Sequence, residues 1–152
     1  MKISNYMSEE LIRLDVEARE KFSLLEELSR ILGTDERVID SKQLAEDIVE
    51  RERIEPTGIG EGVAIPHART DSVSDIIIFI ARLKKPIDYS AIDGKPVNLL
   101  FLIGTPKDAV QVYLKLLASL TKLVKNDSVR ERFTAAGTPS EILEIVKENE
   151  LD

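Results

Sequence analysis

The sequence predicts a single α/β domain over residues 1–152, in which a mixed, mainly parallel central sheet carries helices on both faces. Two apolar runs rich in branched residues, IIIFIA (residues 76–81) and VNLLFLI (residues 97–103), are typical of strands buried on both faces of a sheet. Amphipathic helical patterns precede and follow these runs. Helices, then strands, then helices again indicate a sheet covered on both faces.

Two helices are predicted in the first third of the chain. The first is expected to end at Gly33 and to bury five residues that share one helical face: Leu24, Leu25, Leu28, Ile31 and Leu32. The second is expected to begin at Asp40, with Gln43 three residues later as its capping partner. Pro56 and the glycines that follow it end the helical pattern.

Short strands are expected beside the two long ones. The segments LIRL (residues 11–14) and VAI (residues 63–65) are both apolar enough to join the sheet. Asp93 and Gly94 indicate a turn between the two long strands.

Three helices are predicted after the long strands. Thr105 is expected to cap the first, with Pro106 in its first turn, and its apolar face comprises Tyr113, Leu116, Leu117, Leu120 and Val124. A second helix is predicted from about Asp127 to near Gly137. Thr138 is expected to cap the last one.

The composition excludes several kinds of function. The chain has no cysteine, which excludes a thiolate nucleophile and cysteine-ligated metal, and its single histidine excludes a multi-histidine metal site, so we expect no metal. A net charge of −7 argues against a nucleic-acid partner. No apolar run approaches the ~20 residues that span a membrane, so we expect no membrane insertion and a cytoplasmic protein.

The charge is concentrated in residues 1–55, which hold 15 acidic and 9 basic side chains. An acidic surface of this kind can steer a basic protein partner. The alternative is that these charges form the solvated faces of two amphipathic helices.

The only histidine, His67, lies in the segment PTGIGEGVAIPHART (residues 56–70). Pro66 favours an extended conformation at Ile65, so we expect a short strand to end there and His67 to follow it. Ligands of open α/β sheets bind at such strand ends. The glycines at 58, 60 and 62 permit backbone N–H groups to approach an anion, although GIGEG is no nucleotide-binding fingerprint.

The chemistry open to His67 is limited by what the chain lacks. No G-x-S-x-G elbow is present, which argues against a serine hydrolase. A neutral imidazole can itself attack phosphorus near pH 7, and arginine and backbone amides can hold the phosphoryl oxygens. From the residues alone, an inert loop histidine is the alternative interpretation.

The segment RERIEPTGIGEGVAIPHA (residues 51–68) resembles the signature of enzyme IIA domains of the bacterial phosphotransferase system, of the fructose, mannitol and nitrogen-regulatory type. The shared features are an Arg-Glu pair, a threonine-glycine lead-in and an A-aliphatic-P-H ending. The resemblance extends to the paired N-terminal helices, the strand in PVNLLFLIGTP and the helix in LKLLASLTKLV.

The resemblance implies that His67 accepts a phosphoryl group on Nε2 from the histidine-containing phosphocarrier protein, with no cofactor. It implies that Arg51, sixteen residues earlier, pairs with the phosphoryl oxygens. Arg51 could otherwise be a solvated residue at a helix end. Thr57 and Glu61 lie in the lead-in, where a donor or orienting role and no role at all are both open.

Tyr113 stands where the family usually has a second histidine, packed beside the first. Its hydroxyl can donate a hydrogen bond to a phosphoryl oxygen, but a phenol cannot become a cation as imidazole can. The alternative is a tyrosine that only packs in the helix core.

Two functions follow from the resemblance, with a third as an alternative. The first is a sugar-uptake component that passes phosphate to a IIB partner. The second is a nitrogen-regulatory protein whose phosphorylation state controls binding to target proteins. The sequence contains a IIA unit without IIB or IIC segments, which favours this second function. The third is a binding module that has lost phosphotransfer, consistent with Tyr113.

Overall fold

A six-stranded mixed sheet forms the centre of the structure, a computed structural model that describes residues 2–150. The strands are β1 (Ile12–Val16), β2 (Gly58–Gly60), β3 (Val63–Ala64), β4 (His67–Arg69), β5 (Ile77–Ile87) and β6 (Val97–Thr105). The helices are α1 (Lys21–Leu32), α2 (Ser41–Ile54), α3 (Val110–Val124), α4 (Asp127–Ala135) and α5 (Pro139–Asn149). Within residues 2–150, no helix combines the length and the apolar character needed to cross a membrane.

The strand order is β1-β5-β6-β3-β2, and β4 also pairs with β6. The pairs β1–β5, β3–β6 and β4–β6 are parallel, whereas β2–β3 and β5–β6 are antiparallel. This confirms the predicted mixed, mainly parallel sheet. β3 and β4 both pair with β6: β3 lies beside Leu99 and Leu100, and β4 lies further along β6, beside Ile103. Pro66 lies between these two short strands, and its carbonyl accepts the N–H of Ile103 at 2.9 Å.

The helices cover both faces of the sheet, as predicted. On one face, α1 and α2 pack against a core that includes Leu100 and Leu102 of β6. On the other, α3, α4 and α5 pack against a core that includes Leu99, Phe101 and Ile103. Consecutive residues of β6 thus enter opposite cores, which explains why this strand is a continuous apolar run.

Two predicted helix caps are present, one of them in altered form. The Thr138 hydroxyl accepts the N–H of Glu141 at 3.2 Å at the start of α5. The Asp40 carboxylate accepts the N–H of Gln43 at 3.1 Å at the start of α2. The side chain of Gln43 does not complete a reciprocal cap there, because its amide donates to Asp47 one turn later, at 2.9 Å.

The prediction that Thr105 caps α3 is wrong. Thr105 is the last residue of β6, fully buried, and its hydroxyl has no hydrogen-bond partner among the described residues. α3 begins five residues later, at Val110, after a turn in which the Ala109 N–H donates to Pro106 at 3.1 Å. Pairing with β4 extends β6 to this residue, whose carbonyl accepts the N–H of Thr70 at 2.8 Å.

Two strands have boundaries that differ from the predicted ones. β5 runs to Ile87, six residues beyond the apolar run, because β1 and β6 both pair with it: Val16 lies opposite Leu83, and Val97 lies opposite Ile87. β1 begins at Ile12 rather than Leu11. Pairing with neighbouring strands therefore extends these strands past their hydrophobic patterns.

Candidate active site

His67 is the first residue of β4, beside Ile103 of β6. The sequence predicts that His67 follows the end of a strand, and it does lie three residues after β3. In addition, His67 itself begins a further strand, because it pairs with β6. Its ring lies in an open cleft of about 480 Å³ between α2, β4 and α3. The residues lining this cleft are Asp47, Glu50, Arg51, Ile54, His67, Ala68, Arg69, Lys107 and Tyr113.

A hydrogen bond within the chain sets the tautomer of the imidazole. Nδ1 of His67 lies 2.8 Å from the carbonyl oxygen of Ile65. A carbonyl can only accept, so Nδ1 carries the hydrogen and donates it. Nε2 is consequently left with its lone pair, which is the form required of a nucleophile.

The surroundings favour a neutral His67. Burial lowers its pKa below the ordinary value, the hydrogen bond to Ile65 raises it, and the positive charge of Arg51 lowers it again. The negative charge of Glu52 opposes the effect of Arg51. Because burial dominates, the imidazole is neutral near pH 7.

Three cationic side chains, Arg51, Arg69 and Lys107, share the cleft with His67. Arg51, in the last turn of α2, lines the cleft and donates from Nη1 to the carbonyl of Glu55 at 3.1 Å. Arg69 lies two residues after His67 on β4 and donates from Nη2 to the carbonyl of Lys107 at 3.1 Å.

Arg69 and Lys107 were not predicted as site residues from the sequence. Side chains two residues apart on a strand lie on the same face, so a strand prediction that began at His67 would have found Arg69. Lys107 belongs to the loop before α3, and only the tertiary structure brings it to β4.

Tyr113 lies beside His67, with ring centroids 5.6 Å apart and ring planes inclined at 50°. The tyrosine is 9% exposed. Burial raises the pKa of Tyr113, while the positive charges of Arg51 and Arg69 act to lower it. The phenol is therefore protonated near pH 7 and is a neutral donor at the cleft.

The side chain of Thr57 is buried away from the cleft. Its hydroxyl donates to Oε1 of Glu52 at 2.5 Å, and its N–H donates to Oε2 of the same carboxylate at 2.8 Å. The hydroxyl is thereby used inside the protein, which leaves an indirect, orienting role as the one that fits its position.

Glu61 lies at the tip of the β2–β3 hairpin, where its N–H donates to Asp93 at 2.9 Å. Its carboxylate lies 3.9 Å from the guanidinium of Arg130. The flanking Gly60 and Gly62 both have positive φ, which turns this tip toward Asp93 and Arg130. We expected N–H groups of this glycine loop to approach an anion. At Glu61 the anion that the N–H contacts is the carboxylate of Asp93, a residue of the protein itself.

Of the five predicted site residues, the cleft brings together His67, Arg51 and Tyr113, and it does not include Thr57 or Glu61.

Within residues 2–150, no group of three or more His, Cys, Asp or Glu side chains is arranged to hold a metal ion. Beside the neutral imidazole lie three cations and a phenol, and because the cations outnumber the carboxylates of Asp47 and Glu50, the cleft is suited to an anionic group.

The chain belongs to the family of the phosphoenolpyruvate-dependent sugar phosphotransferase system, EIIA 2, whose model matches residues 5–149. This match confirms the resemblance seen in the sequence. The family is one of phosphate-carrying IIA proteins, and its members serve either sugar transport or nitrogen regulation.

Relatives from both branches are similar to the chain. The fructose-specific EIIABC component of Bacillus subtilis is 33% identical over 150 residues, which are 99% of this chain but 24% of that protein. The chain therefore spans about a quarter of that relative's length. A nitrogen regulatory protein of Pseudomonas aeruginosa is 32% identical over 133 residues, 88% of this chain and 86% of that protein.

Solved structures of both branches share the fold. Nitrogen regulatory protein IIA-Ntr from Neisseria meningitidis superimposes with a TM-score of 0.89 at 31% identity, over 95% of this chain and 98% of that one. IIA mannitol from Escherichia coli superimposes with a TM-score of 0.79 at 20% identity, over 92% and 98% of the two chains. The latter likeness concerns the fold alone.

Proposed function

We propose that the protein is a cytoplasmic phosphohistidine carrier, which accepts a phosphoryl group from the histidine-containing phosphocarrier protein and passes it to a IIB partner in sugar uptake. The observation that carries this proposal is the 2.8 Å hydrogen bond from Nδ1 of His67 to Ile65, which leaves the Nε2 lone pair available. Nε2 attacks phosphorus, the phosphorus–nitrogen bond to the donor breaks, and its electron pair returns to the donor's imidazole.

The other groups of the cleft act on the phosphoryl oxygens. Arg51 and Arg69 donate charge-assisted hydrogen bonds, and Lys107 adds a third positive charge. Tyr113 donates its hydroxyl to one oxygen. Thr57 and Glu61 make no direct contact with the phosphoryl group, and the transfer uses neither metal nor nucleotide.

The test is phosphorylation by enzyme I, the phosphocarrier protein and phosphoenolpyruvate. The parent protein is expected to gain one acid-labile, base-stable phosphoryl group, and His67→Ala none. The chain has one histidine, so loss of label identifies the acceptor without ambiguity. If His67→Ala is labelled as well as the parent, the assignment is wrong; a folded parent that takes no label indicates a binding module instead.

The second candidate function is that of a nitrogen-regulatory protein, whose phosphorylation state controls its binding to target proteins. Two points favour it: Tyr113 stands where the resemblance implies a second histidine, and a nitrogen regulatory protein that is 31% identical superimposes with a TM-score of 0.89. Mixing the phosphorylated protein with IIB proteins of the same genome separates the two functions. Rapid passage of the phosphoryl group to a IIB cysteine indicates transport, and retention indicates regulation.

A further inference from the structure

The carboxylate of Glu52, which is 2% exposed, lies in the last turn of α2 and is surrounded by hydrogen-bond donors. It accepts the N–H and the hydroxyl of Thr57 at 2.8 and 2.5 Å, and the hydroxyl of Tyr89 at 3.0 Å. The ammonium of Lys21, itself 8% exposed, donates to it at 3.2 Å. Four donors thus converge on one buried carboxylate.

This arrangement is a costly way to stabilise a fold. A negative charge in the last turn of a helix opposes the helix dipole. A buried ion pair costs both partners their hydration, and apolar residues of similar volume are often as stabilising. A reason other than stability therefore has to be sought in what the carboxylate holds in place.

What Glu52 holds is the segment that orients His67. The carbonyl of Thr57 accepts the N–H of Ile65 at 3.0 Å. The carbonyl of Ile65 in turn accepts Nδ1–H of His67 at 2.8 Å. A continuous series of hydrogen bonds and backbone therefore runs from Glu52 through Thr57 and Ile65 to the imidazole.

The position of Glu52 in α2 adds a second connection. It directly follows Arg51, the cationic residue that lines the cleft. One helical turn thus presents the arginine to the cleft and fixes the start of the strand segment that leads to His67. Lys21 is held in its turn by the carbonyl of Tyr89 at 3.0 Å, and its ammonium lies 4.6 Å from the centroid of that ring.

We propose that Glu52 is a positioning residue for the phosphoacceptor. Together with Lys21 it fixes Thr57, and through Ile65 it keeps the hydrogen of His67 on Nδ1 and the lone pair on Nε2, within the cleft. The consequence for transfer rate rests on the proposed function, whereas the consequence for the tautomer does not.

The test compares two double variants that both remove the buried charges. Glu52→Leu/Lys21→Met deletes the acceptor for Thr57, whereas Glu52→Gln/Lys21→Met keeps an oxygen that can accept its N–H. Nitrogen-15 NMR of the imidazole gives the tautomer ratio directly, because His67 is the only histidine. Thermal unfolding of both variants shows whether their stabilities match.

The Leu variant is expected to increase the Nε2–H fraction about fivefold and to slow phosphoryl uptake about fivefold, the equivalent of one lost hydrogen bond. The Gln variant is expected to keep the parent tautomer ratio. A folded Leu variant with the parent ratio overturns the proposal, and so does a Gln variant that shifts as far as the Leu variant. A shifted tautomer in a protein that takes no phosphate refutes the carrier function alone.

Thr57→Val covers the case in which the Leu variant does not fold. It removes only the hydroxyl that donates to Glu52, at nearly constant volume. We expect the amide hydrogen of Ile65 to exchange about threefold faster and the Nε2–H fraction to rise. If both quantities equal those of the parent, Glu52 does not position His67.

Discussion

Arg51 and Glu52 are neighbours in α2, yet their charges are used in opposite ways. Glu52 is buried, and its carboxylate accepts four hydrogen bonds from within the protein. Arg51 lines an open cleft, and within residues 2–150 its side chain makes one hydrogen bond, to the carbonyl of Glu55. A fully partnered charge determines local shape, whereas a charge with unused donors is available to a ligand.

The largest effect is expected from breaking the buried pair. Lys21→Met leaves the Glu52 carboxylate buried without its cation, so the free energy of unfolding should fall by about 3–5 kcal/mol. Urea denaturation measures this change. Lys42→Met, at an exposed position of α2, is the matched control and should stay within about 0.5 kcal/mol of the parent. Equal stabilities of the two variants would show that the buried charge of Glu52 does not depend on Lys21.

A smaller effect, on transfer and not on folding, is expected from Arg51→Ala. A hydrogen bond to a charged group is worth about 1.5–3 kcal/mol, so phosphoryl transfer should slow by roughly 10- to 100-fold and the phosphohistidine should hydrolyse faster. Arg53→Ala is the control, because Arg53 lies on the same helix but outside the cleft. Impaired folding with normal transfer would show that Arg51 is structural.

Tyr113→Phe is expected to act more weakly. Phenylalanine keeps the ring beside His67 and removes the hydroxyl, so stability should change by only about 1 kcal/mol while the phosphorylated protein loses its phosphoryl group sooner. Tyr113→His should restore the second histidine that the resemblance implies and speed transfer. Unchanged rates of gaining and losing phosphate in both variants would assign Tyr113 to core packing.

The smallest effect concerns the pH dependence of His67. Burial lowers its pKa, so the neutral nucleophile should persist below the ordinary pKa of ~6.5, and phosphoryl uptake should stay constant down through that pH. The pKa of His67 is lower in the folded than in the unfolded protein. Neutral His67 therefore contributes to stability above pH ~6.5, and that contribution to the free energy of unfolding is lost as the pH falls through the folded-state pKa.

An NMR titration of the imidazole measures this pKa. Arg51→Gln should raise the pKa of His67, since the positive charge of Arg51 lowers it. A titration midpoint at or above the ordinary value in the parent would refute the assignment of a buried, neutral imidazole.

The sequence predicted well those features that depend on local pattern. The helices followed from apolar periodicity, and the buried strands followed from their branched residues. The neighbourhood of His67 and Tyr113 came from the family resemblance. Thr105 was misassigned because the Thr-Pro pattern of a helix start competes with strand pairing, and only the tertiary structure shows that β4 pairs there.

The differences between the predicted site and the observed cleft depend on long-range geometry. Glu61 is close to His67 in sequence, but the hairpin around Gly60 and Gly62 directs it toward Arg130. Arg69 was overlooked because β4 is only three residues long and owes its existence to pairing with β6. Proximity in sequence was therefore a poor guide to proximity at the cleft.

The group that orients His67 is a peptide carbonyl, and its neutrality affects how tightly the imidazole would hold a phosphoryl group. A carboxylate at Nδ1 would stabilise positive charge on the ring and make the imidazole more basic. The Ile65 carbonyl is neutral and does not titrate, so it fixes the ring's direction while adding less to its basicity. A less basic nitrogen is the better leaving group. For the proposed carrier this matters at the second step, because the phosphoryl group passes on readily only if His67 holds it no more tightly than the acceptor does.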